Sequence, residues 1–237
     1  MSSGVVLAFD TATAATVVGL SVDGNLVGQL ADRPGSGERP NHAERLLSLC
    51  DHVLAEAGKR WEDVDRIGVG IGPGTFTGLR IGMATARGLQ QGCRSALVAI
   101  STLEAISLPA RAAYPELRVA AVADGRRSEA FVACWSPDGL LTLDAQAVGP
   151  QQLSAAIGAD GDPAVAVGDG AILFRGSLEE ASITVPDDDS PLHQIDAASL
   201  CHLASTGDPA DSGILTPNYV RRADAEIALE KRARSGD

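Results

Sequence analysis

Apolar runs broken by turn-forming residues alternate along the chain with stretches in which apolar side chains recur every three or four positions. Residues 4–10 hold VVLAF, unbroken until Asp10, a pattern that predicts a buried strand. ATVVGLSVDGNLVGQLA (15–31) reads as a hairpin whose arms meet at Asp23-Gly24, a dipeptide suited to the positive φ angles of a type I′ turn. With 4–10 it makes three antiparallel strands. A loop at 32–40 carries Pro34, Gly35, Gly37 and Pro40, after which Asn41 and Glu44 form a capping pair for a helix ending near Gly58. Leu46, Leu47, Cys50, Val53, Leu54 and Ala57 fall on one side of that helix. A strand at 66–72 ends at Pro73, and a helix at 76–90, a strand at 96–100 and a helix at 102–113 follow.

From 118 the pattern starts again: a strand at 118–124, a turn at Gly125, a strand at 129–135, a turn at Pro137-Asp138-Gly139 and a strand at 140–146. A helix near 150–158, a strand at 164–169, a surface loop at 186–191 and a helix at 194–206 complete the series. Two successive strand, hairpin and helix series predict two related α/β lobes. The last segment, PNYVRRADAEIALEKRARSGD, reads as a partly ordered tail.

Composition narrows this picture. With 45 % apolar residues in 237, the chain can bury a substantial core. No basic region precedes VVLAF and no run approaches the roughly 20 apolar residues of a membrane span, so the expected location is the cytoplasm. Cys50, Cys93, Cys134 and Cys201 are widely spaced and are expected as reduced core residues. The net charge of −12 opposes a broad grip on nucleic acid, because phosphate contacts need clustered Lys and Arg. Arg221, Arg222, Lys231, Arg232 and Arg234 form a small basic tail that could touch RNA or be a solvated terminus.

Several motifs bear on chemistry. FDTATAATVVGL (9–20) ends a strand in an acid and hydroxyl residues. Asp10 could hold a metal-bound water while Thr11 and Thr13 face a phosphate, or the same residues could close an ordinary Asx or ST turn. Gly70, Gly72 and Gly74 have the look of a nucleotide loop, but no acid stands at 90–95 and no Gly-Lys-Ser/Thr follows, which excludes the dinucleotide and Walker patterns. Gly74, Gly78, Gly82 and Ala86 recur every four residues and make a smooth helix face beside Thr85. Glycine inside a helix costs about 1 kcal/mol relative to alanine. A close neighbour must offset that, either this protein's own sheet or first helix or a second polypeptide. His42, His52, His193 and His202 lack the i, i+4 spacing of a metal pair, and no H-E-x-x-H, C-x-x-C or G-x-S-x-G occurs.

LAFDTATAATVVGL, NHAERLL, GVGIGPGTFTGLRIGMATARGL, AISTLEAIS and LTPNYVRR stand in the order and spacing of the TsaB family, which the chain resembles over nearly its whole length. The resemblance implies two ribonuclease-H-like lobes of the actin-like ATPase kind, each a mixed sheet with flanking helices, at 1–108 and 109–237. It implies a non-catalytic scaffold, a paralogue of the transferase TsaD that pairs with TsaD and works with the ATPase TsaE. That complex places a threonylcarbamoyl group on adenosine 37 of ANN-decoding tRNAs. The chain would then need no cofactor of its own, ATP and a divalent metal belonging to the partners, and would meet tRNA only through the complex. His42, Leu46, Cys50, Gly74, Phe76, Gly78, Gly82 and Ala86 would form the partner interface, and the chain alone could be a monomer or a homodimer. Asp10, Thr11, Thr13, Gly168 and Gly170 would be the remnant of a nucleotide loop. DGRRSEA (124–130) stands where the fold's second phosphate loop would read Asp-x-Gly-x-Thr. The alternative is an enzyme of the same fold: a small-molecule kinase acting through Asp124, or a glycoprotease.

Overall fold

β1 (Val5–Asp10) has every side chain buried, and strand alternation sends its residues into two different cores. Val5, Leu7 and Phe9 pack with α1 (His42–Glu56) and α2 (Phe76–Cys93). Val6 and Ala8 pack with α3 (Thr102–Ala113) and α7 (Ala197–Thr206). A strand apolar on both faces is what a position between two helix layers requires. This computed structural model describes residues 4–35, 38–158, 161–210, 215–218 and 220.

The first sheet has the order β3-β2-β1-β4-β5, with β2 (Thr16–Val22), β3 (Asn25–Asp32), β4 (Val64–Gly70) and β5 (Ala96–Ile100). β1, β2 and β3 pair antiparallel, whereas β1, β4 and β5 run parallel. The second sheet repeats the scheme with one strand fewer, β8-β7-β6-β9, from β6 (Arg118–Arg126), β7 (Glu129–Trp135), β8 (Leu141–Val148) and β9 (Ala164–Val167). Its outer face carries α4 (Pro150–Ile157), α5 (Asp169–Leu173) and α6 (Arg175–Glu180). Its inner face, through Val119, Ala121, Phe131, Ala133 and Val165, meets α3 and α7 in the same core as Val6 and Ala8. Layers therefore run helix, sheet, helix, sheet, helix, and the two expected lobes share their central layer.

The predicted division at 108 is crossed twice for that reason. Residue 108 lies inside α3, and α7 packs on β1, β2 and β4 of the first sheet. Gly68 makes this possible, since a Cβ there would stand 2.5 Å from the Cβ of Ala204. The hairpin turn at Asp23-Gly24 forms as expected, with φ of 52° and 82°. Asn41 differs: it makes no side-chain cap, and its Nδ2 donates to Glu44 Oε2 at 2.7 Å. β6 continues through Gly125, and the reversal is made by Arg126, Arg127 and Ser128, all with positive φ. α5 and α6 were not legible as helices because they are five and six residues long, too short to show a period. No described helix is long and apolar enough to cross a membrane. The basic residues of the tail, from Arg221 onward, lie outside the described residues.

Candidate functional site

Asp10 ends β1 with no exposed surface. Its Oδ1 accepts from the Ala12 amide at 2.6 Å and its Oδ2 from the Thr102 hydroxyl at 2.7 Å. Burial pushes its pKa above the ordinary carboxylate value, the Thr102 and Ala12 bonds working in the opposite direction. Thr11 is equally enclosed, its Oγ1 donating to the Gly78 carbonyl at 2.7 Å. The Thr75 amide donates to the Ala12 carbonyl at 2.7 Å, so the GPGTFTG segment clamps the turn after β1. This is the Asx-type reading of residues 10–13, and it leaves neither Asp10 nor Thr11 free to face a ligand.

The glycine-lined face of α2 has the same explanation. A Cβ on Gly78 would collide with the Thr11 carbonyl oxygen, one on Gly74 with that of Ala12, and one on Gly82 would lie 2.5 Å from Thr11 Oγ1. Gly78, Gly82 and Ala86 are buried, and Ala86 belongs to the core between α1, α2 and the first sheet. Within this chain the close neighbour of these glycines is thus its own turn after β1. His42, Leu46 and Cys50 are likewise buried under α1. His42 Nδ1 lies 2.8 Å from Thr16 Oγ1, and burial lowers its pKa. Burial raises that of the Cys50 thiol. Of the expected interface set, Phe76 stands on the surface, with Arg80 stacked over its ring at 3.7 Å. Leu47 of α1 is exposed rather than turned to the core.

Gly168 and Gly170 also serve the fold. A Cβ on Gly168 would strike the Val122 carbonyl oxygen, and one on Gly170 would lie 2.8 Å from the Ala123 carbonyl carbon. They let α5 approach β6. The Gly168 amide donates to His193 Nδ1 at 3.1 Å, and His193 Nε2 lies 3.1 Å from the Pro186 carbonyl. Asp124, the acid of the kinase reading, accepts from the Arg126 amide at 2.8 Å and pairs with the Arg126 guanidinium at 3.2 Å. The side chains of Asp10, Thr11 and Asp124 are thus each engaged by partners within the chain. Among the described residues no group of three or more His, Cys, Asp or Glu is placed to hold a metal ion.

Thr13 alone of the expected loop opens onto a cavity, of about 190 Å³, at the junction of the two lobes. Ala14, Ala15, Arg33 and Ile106 line it from one side, Asp169 and the segment His193–Ile195 from the other. Asp169 Oδ1 accepts from the Asp124 amide at 2.9 Å. Although Asp169 has exposed surface, the protein crowded around its carboxyl raises its pKa, the Asp124 amide opposing and the Asp124 charge reinforcing the shift. Sequence reasoning passed over Arg33 and Asp169, which stand in no motif, and met Thr102 only inside the AISTLEAIS block and His193 only as a rejected metal ligand.

The family model for TsaD, tRNA N6-adenosine threonylcarbamoyltransferase, matches residues 37–138. The tRNA threonylcarbamoyladenosine biosynthesis protein TsaB of Escherichia coli is 33 % identical over 133 residues, 56 % of this chain and 55 % of that protein. The chain thus matches about half the length of that curated relative. An uncharacterised protein of Mycobacterium tuberculosis is 34 % identical over 221 residues, 93 % of each chain. Among solved structures, a Pseudomonas aeruginosa protein described as similar to the peptidase YeaZ superposes with a TM-score of 0.73 at 28 % identity, covering 92 % of this chain and all of that one.

Proposed function

We propose that the chain is a member of the TsaB family and a non-catalytic subunit of the cytoplasmic machinery that makes threonylcarbamoyladenosine at position 37 of ANN-decoding tRNAs. It acts by pairing with the transferase TsaD, with the ATPase TsaE completing the complex. ATP and the divalent metal are bound by those partners. The observation that carries the reading is the closed turn at residues 10–13, where Asp10 and Thr11 are buried and hydrogen-bonded within the chain. A phosphate-transfer enzyme needs that strand-end acid and the adjoining hydroxyl turned to the ligand. The net charge of −12 supports a subunit that reaches tRNA through its partners.

The docking surface on this reading is the outer side of α1 and α2, where Leu47 and Phe76 are about half exposed at 46 % and 43 %. Apolar side chains of this size on adjoining helices suit a helix-on-helix contact, with TsaD or with a second copy of the chain when TsaD is absent. The test is co-purification with the TsaD of the same organism, for the wild type, Leu47→Asp and Phe76→Asp, followed by tRNA modification with and without the chain. Retention of TsaD by the wild type, its loss in the variants at unchanged melting temperature, and modification that requires the chain are the expected results. Modification that proceeds equally well without the chain overturns the proposal. An Asp124→Asn variant separates off the kinase reading, since it is expected to support modification as the wild type does.

A further inference from the structure

The cavity at the lobe junction is not accounted for by a scaffold role. Its volume, about 190 Å³, lies below the roughly 300–1,000 Å³ of pockets that enclose drug-sized ligands and corresponds to about six waters at ~30 Å³ each. That leaves room for a molecule of a few heavy atoms. Ala14, Ala15, Ile106 and Ile195 give it an apolar lining, which favours an aliphatic body over a sugar or a bare ion.

Two opposite charges enter the same space from the two lobes. Arg33 follows β3 and makes no ion pair among the described residues, the neighbouring carboxylate of Asp32 being engaged by Arg45 at 3.5 Å. Asp169 opens α5 and lines the cavity, whereas the nearby Asp124 is neutralised by Arg126. A guanidinium and a carboxylate lining one largely apolar cavity complement a ligand that carries both a carboxylate and an ammonium beside an aliphatic body. We propose that the cavity binds a small zwitterion with an aliphatic body, of the class of the free aliphatic amino acids, its carboxylate on Arg33 and its ammonium on Asp169.

Titration of the full chain with L-valine, followed by NMR or calorimetry, tests this directly. Valinamide, which lacks the carboxylate, and isovalerate, which lacks the ammonium, serve as the matched probes. Saturable valine binding is expected, with each analogue weaker by about tenfold or more, as loss of one charge-assisted contact implies. Arg33→Gln is expected to abolish the discrimination between valine and valinamide while keeping that against isovalerate. Asp169→Asn, which keeps an oxygen to accept from the Asp124 amide, is expected to do the reverse. A lack of saturation up to about 10 mM valine overturns the proposal, as does discrimination that both variants leave intact, or displacement of valine by ATP. The tRNA modification and TsaD retention assays do not depend on this site's ligand, so failure here leaves the family-based reading standing.

Discussion

Asp10 holds a carboxyl in a place with no solvent at all, and its behaviour with pH follows from that. The unfolded chain titrates this group near 3.8, and burial raises the folded value above it. Between the two the folded protein binds more protons, so the residue's contribution to stability is fullest below 3.8 and is lost as pH rises through the raised value. Asp10→Asn keeps the acceptor for the Ala12 amide and turns an NH2 toward the Thr102 hydroxyl, which can accept. The melting temperature of this variant relative to wild type is therefore expected to rise between pH 4 and pH 7. A difference that stays constant over that range removes the burial argument. The thiols follow the same physics, with burial pushing Cys201 up to about 12, so it is inert at neutral pH as its expected core role requires. At this scale the sequence displayed Asp10 and Thr11 at a strand end, but their partners Thr102 and Gly78 lie 92 and 67 residues away. Contacts that distant leave no local signature.

Helix α2 separates glycines that serve a close approach from those that serve none. Beyond its own turn of helix, Gly88 has no neighbour within 4 Å of where a Cβ would sit, whereas a Cβ on Gly78 meets the Thr11 backbone. Gly88→Ala is expected to stabilise by about 1 kcal/mol, raising the melting temperature by about 2–4 °C. Gly78→Ala should destabilise by roughly 1–3 kcal/mol through overpacking against backbone that cannot swing aside. Thermal melts of the two single variants check this, and equal effects would dissolve the distinction. A bulky residue at Gly82 breaks the same contact with Thr11, so its effect on partner binding would report a disturbed fold and not an interface. The four-residue period of small side chains was visible in the sequence. Whether it faced inward or outward was not, because a smooth helix face accepts either kind of neighbour equally well.

At the level of the whole molecule, α3 and α7 sit between the sheets and contribute to one continuous core with residues of both. The two lobes are therefore expected to unfold together, since neither keeps its inner face covered without the shared helices. Trp61 packs at the edge of the first lobe's core and Trp135 belongs to the second sheet, which supplies a probe for each. Variants retaining one tryptophan, Trp135→Phe and Trp61→Phe, are expected to show matching unfolding midpoints after correction for the stability change of each substitution. Two separated transitions would show lobes that stand independently.

The order of the strands and of the longer helices, the Asp23-Gly24 turn and the repetition of the α/β series were all determined by the sequence itself. Each rests on spacing between near neighbours, which periodicity and turn chemistry record directly. The family resemblance was likewise carried by contiguous blocks such as GPGTFTGLRIG. Only the tertiary structure decided that the turn after β1 closes on itself, that α7 returns to the first sheet, and that Arg33 and Asp169 open onto one cavity. These outcomes depend on packing between segments far apart in the chain, where burial and close approach, not local pattern, select the arrangement.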